Sequence, residues 1–126
     1  MTNPPMPGIE EVVQRQLDAY NARDIDLFMT AWANDAQYFV HPSTLLAEGA
    51  DAIRERHLER FKEPDLFGKL IKRSIIGNTV VGIETVARNF PEGKGQLDVA
   101  CIYEVLNGKI SKAWFILGEP VYETGA

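Results

Sequence analysis

The chain has 126 residues, a net charge of -5, 45% hydrophobic and 25% charged residues, a composition typical of one soluble globular domain. The acidic balance argues against a nucleic-acid partner, because phosphate binding needs a basic stripe and the densest basic cluster is only Lys69, Lys72 and Arg73. No apolar run approaches the ~20 residues of a membrane span, and residues 1–8 do not resemble a signal peptide. The single cysteine, Cys101, cannot form an intrachain disulfide and fits a reducing compartment, so we expect a cytoplasmic protein.

We expect residues 9–118 to form one domain, with a flexible tail over residues 1–8 and a second tail over residues 119–126. Apolar residues recur every three or four positions over residues 9–20, which predicts an amphipathic helix. Gln16 lies inside this apolar stripe. Because a buried amide needs a partner or a ligand, Gln16 is a candidate site residue.

A second helix is predicted after Asp24, whose carboxylate can accept hydrogen bonds from the free N–H groups of the first turn. Its buried face is expected to contain Ile25, Phe28, Met29 and Trp32. Next come a turn at Asn34-Asp35, a short strand over residues 36–40, a loop over residues 43–49 and a third helix over residues 50–62. We expect the third helix to bury Ile53, Leu58 and Phe61, with His57 on the same face.

The second half of the chain is rich in β-branched and aromatic residues, which predicts strands over residues 69–76, 79–89, 96–106 and 109–117. Asn107-Gly108 is a strong hairpin signal because both positions of that turn favour positive φ, and Gly77-Asn78 is a weaker one. Residues 91–95 predict a longer hairpin loop. Helices followed by an antiparallel meander indicate an α+β fold, with helices packed on one face of a curved sheet.

The predicted strands carry apolar residues on both faces. In the last strand Ile110, Trp114 and Ile116 alternate with Ala113, Phe115 and Leu117. A sheet that is apolar on both faces must be covered on both. The helices cover one face, and a second subunit is the simplest cover for the other, so we expect a homodimer formed through the sheet.

Five short motifs occur in order: Tyr20-Asn21-Ala22-Arg23-Asp24, Trp32-Ala33-Asn34-Asp35-Ala36, His41-Pro42, Glu48-Gly49-Ala50-Asp51-Ala52-Ile53 and Gly108-Lys109-Ile110. Together they resemble the SnoaL-like branch of the nuclear transport factor 2-like superfamily, which also contains ketosteroid isomerases. The resemblance covers about residues 9–118. It implies a cone-shaped, cystatin-like fold, in which a curved, mostly antiparallel sheet wraps the N-terminal helices and a pocket opens at the wide end. The resemblance does not predict a specific function, because the superfamily contains isomerases, cyclases, hydrolases and non-catalytic binders.

In ketosteroid isomerases a carboxylate base works with a tyrosine and a protonated aspartate. By resemblance, and allowing a one-residue shift, the base position falls at His41, the tyrosine position at Gln16 and the aspartate position at Cys101. None of the three residues is kept. The resemblance therefore implies a pocket without the isomerase's catalytic residues.

Two histidines are candidate site residues. His41, at a strand end, could act as a general base because histidine titrates near neutral pH, or it could be bonded only to backbone or solvent. His57 could line the pocket, although a lone histidine on an apolar helix face is more often a satisfied core residue. No third ligand with recognisable spacing accompanies them, so we expect no metal and no cofactor.

Three further polar residues depend on strand register. If Glu84 faces the pocket it could be an acid or base, with Arg73 as a cross-strand partner that tunes its pKa. If it faces outward it is an ion pair of little consequence, and this orientation is favoured. Cys101, in mid-strand, is expected to be a small core residue.

Four aromatic residues, Tyr20, Trp32, Tyr38 and Tyr103, are expected to be mostly core, and in a cone some of them would form pocket walls. Two functions remain open. The first is an isomerase-like or cyclase-like enzyme that moves a proton on a small apolar carbonyl compound, with His41 as the base and Gln16 and Tyr20 as donors to the oxyanion. The second is a non-catalytic module that binds a small ligand or mediates dimerisation.

Overall fold

The computed structural model describes residues 8–123, which form three helices and one sheet of seven strands. The helices are α1 (Ile9–Ala22), α2 (Ile25–Met29) and α3 (Ala50–Arg60). The strands are β1 (Trp32–Val40), β2 (Thr44–Glu48), β3 (Phe67–Ile76), β4 (Thr79–Phe90), β5 (Gly93–Leu106), β6 (Lys109–Leu117) and β7 (Val121–Tyr122). The expected α+β class is confirmed.

The strand order is β2-β1-β6-β5-β4-β3, and β7 pairs with the beginning of β5. Strands β1 and β6 are parallel, and the other pairs are antiparallel. Because β3, β4, β5 and β6 follow one another through hairpins, the predicted meander is present. The Asn107-Gly108 turn has positive φ at both positions, as its residue types predict.

The register separates the two faces of the sheet. One row across five strands consists of Val80, Tyr103, Ala113, Tyr38 and Ala47, and all five side chains are buried. This row lies on the inner face, which packs against the helices. The next row consists of Val81, Ile102, Trp114, Phe39 and Leu45, and it lies on the outer face.

The link between α1 and α2 fixes the long helix against β3. Asn21 donates to the carbonyl oxygen of Gly68 at 2.9 Å and accepts from its N–H at 2.7 Å. Arg23 closes α1 in the left-handed conformation, and its guanidinium donates to the carbonyl oxygen of Leu66 at 3.1 Å. Asp24 caps α2, as predicted, by accepting from the N–H of Leu27 at 3.1 Å.

Several local predictions for the first half of the chain are wrong. Trp32 does not end α2 but begins β1, and Asn34-Asp35 lies inside that strand, where pairing with β6 shifts register between Trp32 and Gln37. Residues 43–49 are not a loop, because Thr44–Glu48 pairs with β1 as an antiparallel strand. Strand β2 is at the edge of the sheet, and its mixed polarity gives no clear alternating pattern.

The helix α3 differs from its prediction in the face that it buries. Leu58 is exposed, whereas Ile53 and His57 are buried. His57 follows Ile53 by four positions, about one helical turn, so the inward stripe continues to the partly buried Arg60 and Phe61 and not to Leu58.

The ends of the described chain add two observations. The segment expected as a C-terminal tail over residues 119–126 contains β7, while the tail expected over residues 1–8 lies outside the described residues except for Gly8. Within residues 8–123, no helix is long and apolar enough to cross a membrane.

Candidate functional site

A cavity of ≈ 110 Å³ lies between the inner face of the sheet and helices α1 and α3. Helix α1 contributes Gln16, Leu17 and Tyr20 to its lining, and α3 contributes Arg56, His57 and Arg60. The sheet contributes inner-face residues of β1, β4, β5 and β6, among them Tyr38, Glu84, Cys101, Tyr103 and Phe115. The cavity is smaller than the roughly 300–1,000 Å³ of sites for drug-sized ligands, so it suits a small molecule.

Glu84 is the acidic residue of the cavity. Its side chain points from β4 toward α1 and is only 6% exposed, so the favoured outward orientation is wrong. Burial raises the pKa of the Glu84 carboxyl group, and the Cys101 thiol and the charge of Arg73 offset this only in part. A carboxyl group in this state can gain and release a proton nearer neutral pH than an exposed glutamate.

Cys101 and Tyr103 line the cavity from the neighbouring strand β5, with Cys101 between Tyr103 and Glu84. Burial, followed by the negative charge of Glu84, raises the pKa of the Cys101 thiol well above its usual range. Burial likewise raises the pKa of the Tyr103 hydroxyl group. Both groups therefore stay protonated at neutral pH, so Tyr103 can donate a hydrogen bond and Cys101 is not a thiolate nucleophile.

Gln16 extends from α1 into the cavity and is 5% exposed. Among the described residues its side-chain oxygen Oε1 has no hydrogen-bond partner. An unpaired buried acceptor costs about 1–3 kcal/mol, which a ligand with a donor group would recover. The position that interrupts the apolar stripe of α1 is therefore a cavity position.

His57 is held in the aromatic part of the site. Its Nδ1 lies 2.8 Å from the carbonyl oxygen of Ile53, and its ring is 4.5 Å from the ring of Phe28 and 5.6 Å from that of Tyr38. Burial lowers the pKa of His57 to about 4. At neutral pH the imidazole is uncharged, with Nδ1 as the donor to Ile53, which leaves Nε2 as an acceptor.

Tyr20 and Tyr38 form the wall next to His57. Burial raises the pKa of Tyr20 to about 12, although the charge of Arg60 acts in the opposite direction. Burial also raises the pKa of Tyr38, whose ring lies 5.4 Å below the guanidinium of Arg56. Both hydroxyl groups are therefore neutral donors at the boundary between the aromatic wall and the arginines.

Three arginines, Arg56, Arg60 and Arg88, line one end of the cavity, next to a depression that they share with Glu63. Glu63 accepts from Arg88 at 3.1 and 2.7 Å and lies 3.5 Å from Nε of Arg60. Arg56 and Arg60 were not predicted from the sequence, whereas the spacing of Arg88 from Glu84 places those two side chains on one strand face. Helical spacing could have predicted Arg56 and Arg60, because they follow Ile53 by three and seven positions and therefore lie on the same face of α3.

The structure brings together seven of the ten residues singled out in the sequence. Gln16, Tyr20, Tyr38, His57, Glu84, Cys101 and Tyr103 all line the cavity.

The other three residues do not line the cavity. His41 is exposed at the end of β1, so it cannot serve a substrate bound within. Trp32 is buried behind the wall, 5.9 Å from the ring of Tyr38. Arg73 points to α1, where Nη1 donates to Gln14 at 2.8 Å, so it acts on Glu84 only through its charge.

The position of Glu84 depends on a close approach of β3. A methyl group added at Gly68 would lie 2.9 Å from Oε1 of Glu84 and 3.1 Å from Cδ1 of Leu17. We expect Gly68→Ala to displace the carboxyl group and to lower the free energy of unfolding by about 1–3 kcal/mol, measured by urea denaturation. Gly82→Ala is the control, because its added methyl group would meet Leu70 at an ordinary 3.6 Å. Equal losses in the two variants would contradict this packing.

The family model of the SnoaL-like domain matches residues 13–113 of the chain. This segment contains every described cavity residue except Phe115 and Leu117. No curated protein has a significant match with the chain.

Solved structures share the fold at low sequence identity. A cystatin-fold protein of uncharacterised function from Novosphingobium aromaticivorans is 22% identical, with a TM-score of 0.81, and the match covers 87% of this chain and 98% of that one. A SnoaL-like polyketide cyclase from Agrobacterium tumefaciens is 17% identical, with a TM-score of 0.75 and coverage of 90% and 94%. A nuclear transport factor 2-like protein from Burkholderia thailandensis is 19% identical, with a TM-score of 0.76 and coverage of 89% and 92%. At these identities the similarity shows the fold alone.

Proposed function

Because the chain belongs to the SnoaL-like domain family, we propose that its cavity binds a small carbonyl compound and catalyses proton abstraction and return, as in isomerisation or cyclisation. The observation that carries this proposal is the buried carboxyl group of Glu84 inside the cavity. Its raised pKa suits a group that takes a proton from carbon and returns it, since acid–base catalysis is most efficient when the pKa lies near the working pH.

In this mechanism Glu84 takes over the base role that the sequence suggested for His41. The ionised form removes a proton from the carbon next to the substrate carbonyl group, which leaves negative charge on the carbonyl oxygen. Tyr103 remains protonated in the same cavity, beyond Cys101 from Glu84, and is the donor assigned to stabilise that charge. The protonated form of Glu84 then returns the proton to carbon, so atoms and charge balance over the cycle.

The mechanism can be tested without knowing the natural substrate. Small enolisable ketones and aldehydes are incubated with the protein in deuterated water, and exchange at the carbon next to the carbonyl group is followed by NMR. The proposal expects exchange above the buffer rate for at least one compound that binds. Binding of such compounds with exchange at the buffer rate would overturn it.

A second candidate is a binding protein that performs no reaction. It is favoured because the isomerase's catalytic residues are not kept. The positions that the resemblance assigns to them hold His41, Gln16 and Cys101. His41 is outside the cavity, and Cys101 remains a protonated thiol. Saturable ligand binding without exchange or turnover would support this function.

We also propose that the protein is a homodimer formed through the outer face of the sheet. The outer row of Val81, Ile102, Trp114, Phe39 and Leu45 is apolar across five strands. The rings of Phe39 and Trp114 stack 5.8 Å apart within it. An apolar face of this extent favours a partner of the same character.

The dimer predicts a mass of about 28 kDa by light scattering, which is twice the 14.1 kDa of the chain. Trp114→Glu should give the mass of one chain at micromolar concentration, because a carboxylate would lose its water at the interface. Arg15→Glu is the control, since Arg15 is exposed on α1, which packs on the opposite face of the sheet. A wild-type mass of one chain would contradict the proposal.

A further inference from the structure

The arginine end of the cavity has an excess of positive charge. Arg56, Arg60 and Arg88 lie there with one partly buried carboxylate, Glu63. Burial opposes ionisation of Glu63, but hydrogen bonds from Arg88 and the N–H of Asn89 outweigh it and hold the pKa of Glu63 below its usual value. Glu63 is therefore charged at neutral pH, and it balances one of the three guanidinium groups.

Glu59, the other acidic residue of the adjoining depression, does not balance the remaining charge. It is exposed and pairs with Lys62 at 3.0 Å. The depression and the cavity end thus retain unbalanced positive charge, which the anionic group of a ligand would neutralise.

Arg56 carries positive charge that Glu63 does not balance. Within residues 8–123 it has no salt bridge, whereas Arg60 and Arg88 both pair with Glu63. Its Nε is buried and lacks a hydrogen-bond partner in the same part of the chain. The ring of Tyr38 holds the guanidinium in place. A positioned guanidinium with unused N–H donors is the usual partner of a carboxylate, which it can bind through two parallel hydrogen bonds.

Gln16 supplies a second, independent indication of a ligand. Its unpartnered Oε1 lines the same cavity from α1, whereas Arg56 lines it from α3. An acceptor on one wall and a cation on another require two different polar groups on one ligand. Apart from Glu84, His57 and Cys101 the rest of the lining on the helices and the inner face is mostly aromatic or aliphatic, so most of the ligand's middle is apolar.

We infer that the cavity takes a small monocarboxylic acid with a second oxygen function, its carboxylate bound by Arg56 and Arg60 and its hydroxyl or enol group donating to Gln16. This rests on the proposed function, because the second oxygen function is the carbonyl group on which Glu84 acts. When protonated Glu84 gives the abstracted proton to the enolate oxygen instead of the carbon, the resulting enol O–H is the donor that Gln16 lacks. A carboxylate has two coplanar oxygens, which match the two parallel N–H donors of the Arg56 guanidinium, and its charge offsets part of the excess.

The test uses 4-oxopentanoate as the probe and its neutral methyl ester as the matched ligand, with binding measured by calorimetry and NMR. The acid should bind the wild-type protein at least about tenfold more tightly than the ester, and added salt should weaken only the acid. Arg56→Gln should remove the preference for the acid. Arg54→Gln is the control on the same helix, since Arg54 pairs with Asp26 at 3.0 Å and does not line the cavity.

Several outcomes would overturn the inference: equal affinity for acid and ester, an acid preference that survives in Arg56→Gln, no binding of the acid at millimolar concentration, or tighter binding of inorganic phosphate than of the acid. If Arg56→Gln does not fold, the acid-to-ester ratio and its salt dependence in the wild-type protein decide the question. Glu84→Gln separates this inference from the proposed function. Loss of exchange with acid binding retained supports both, whereas acid binding without exchange in the wild-type protein rejects only the catalytic proposal.

Discussion

Glu84→Gln is expected to lower the rate of proton exchange by about 100- to 10,000-fold, the range that general acid–base catalysis contributes. Glutamine has nearly the same shape as glutamate and can keep a polar contact with Cys101, but it cannot accept a proton from carbon. Substrate affinity should change little, because the anion-binding arginines are untouched. The measurement is the exchange rate in deuterated water together with the dissociation constant of the same compound.

A stability measurement on the same variant separates a catalytic role from a structural one. The pKa of the Glu84 carboxyl group is higher in the folded than in the unfolded protein, so the folded protein binds more protons. The free energy of unfolding therefore falls as the pH rises above the pKa of the unfolded chain. Glu84→Gln removes this loss. The variant should therefore be at least as stable as the wild type at neutral pH, and the difference should shrink as the pH is lowered.

The control for Glu84→Gln is Glu104→Gln on the adjacent strand. Glu104 lies on the opposite face of the sheet, where its carboxylate accepts from Ser111 at 3.0 Å. This variant should retain the exchange rate. A Glu84→Gln protein that is stable and exchanges at the wild-type rate would move the base role elsewhere and leave the binding function as the better description.

The fold could be predicted because local signals and the apolar pattern agree. Asp24 forms the cap that its residue type predicts, and Asn107-Gly108 forms the expected turn. Both features depend on the conformations of a few neighbouring residues, which sequence specifies directly. The mixed polarity of residues 43–49 gave no such signal, and their strand depends on pairing with β1.

The site was only partly predictable, because it depends on long-range register. In the β4–β5 hairpin Thr85 pairs with Asp98, and this register makes the Glu84 side chain face the cavity. A register shift of one residue would turn the Glu84 side chain to the outer face. Neither orientation is visible in the strand's own sequence. His41 follows an aromatic run, but the end of β1 extends past the cavity. By contrast Gln16 could be identified, because a polar residue inside an apolar helical stripe is a local anomaly.

His57 should make the protein less stable as the pH falls from about 7 to about 5. Its pKa is lowered from 6.5 to about 4 by burial, so the unfolded chain binds a proton in this range and the folded protein does not. Stability is therefore complete above the unfolded pKa and is lost progressively as pH falls toward the folded one. The expected loss between about pH 7 and about pH 5 is about 2 kcal/mol in the free energy of unfolding.

Glu63 and Glu84 also titrate, so the His57 contribution is measured as a difference between variants. His57→Gln can still donate to the carbonyl oxygen of Ile53 but cannot be protonated, so urea denaturation should show a loss about 2 kcal/mol smaller than in the wild type. His41→Gln is the matched control, because His41 is exposed and lies outside the cavity. Equal losses in His57→Gln and the wild type would contradict this prediction, because they would mean that His57 binds a proton in the folded protein. The site beside Arg56 and Arg60 would then not contain an uncharged His57.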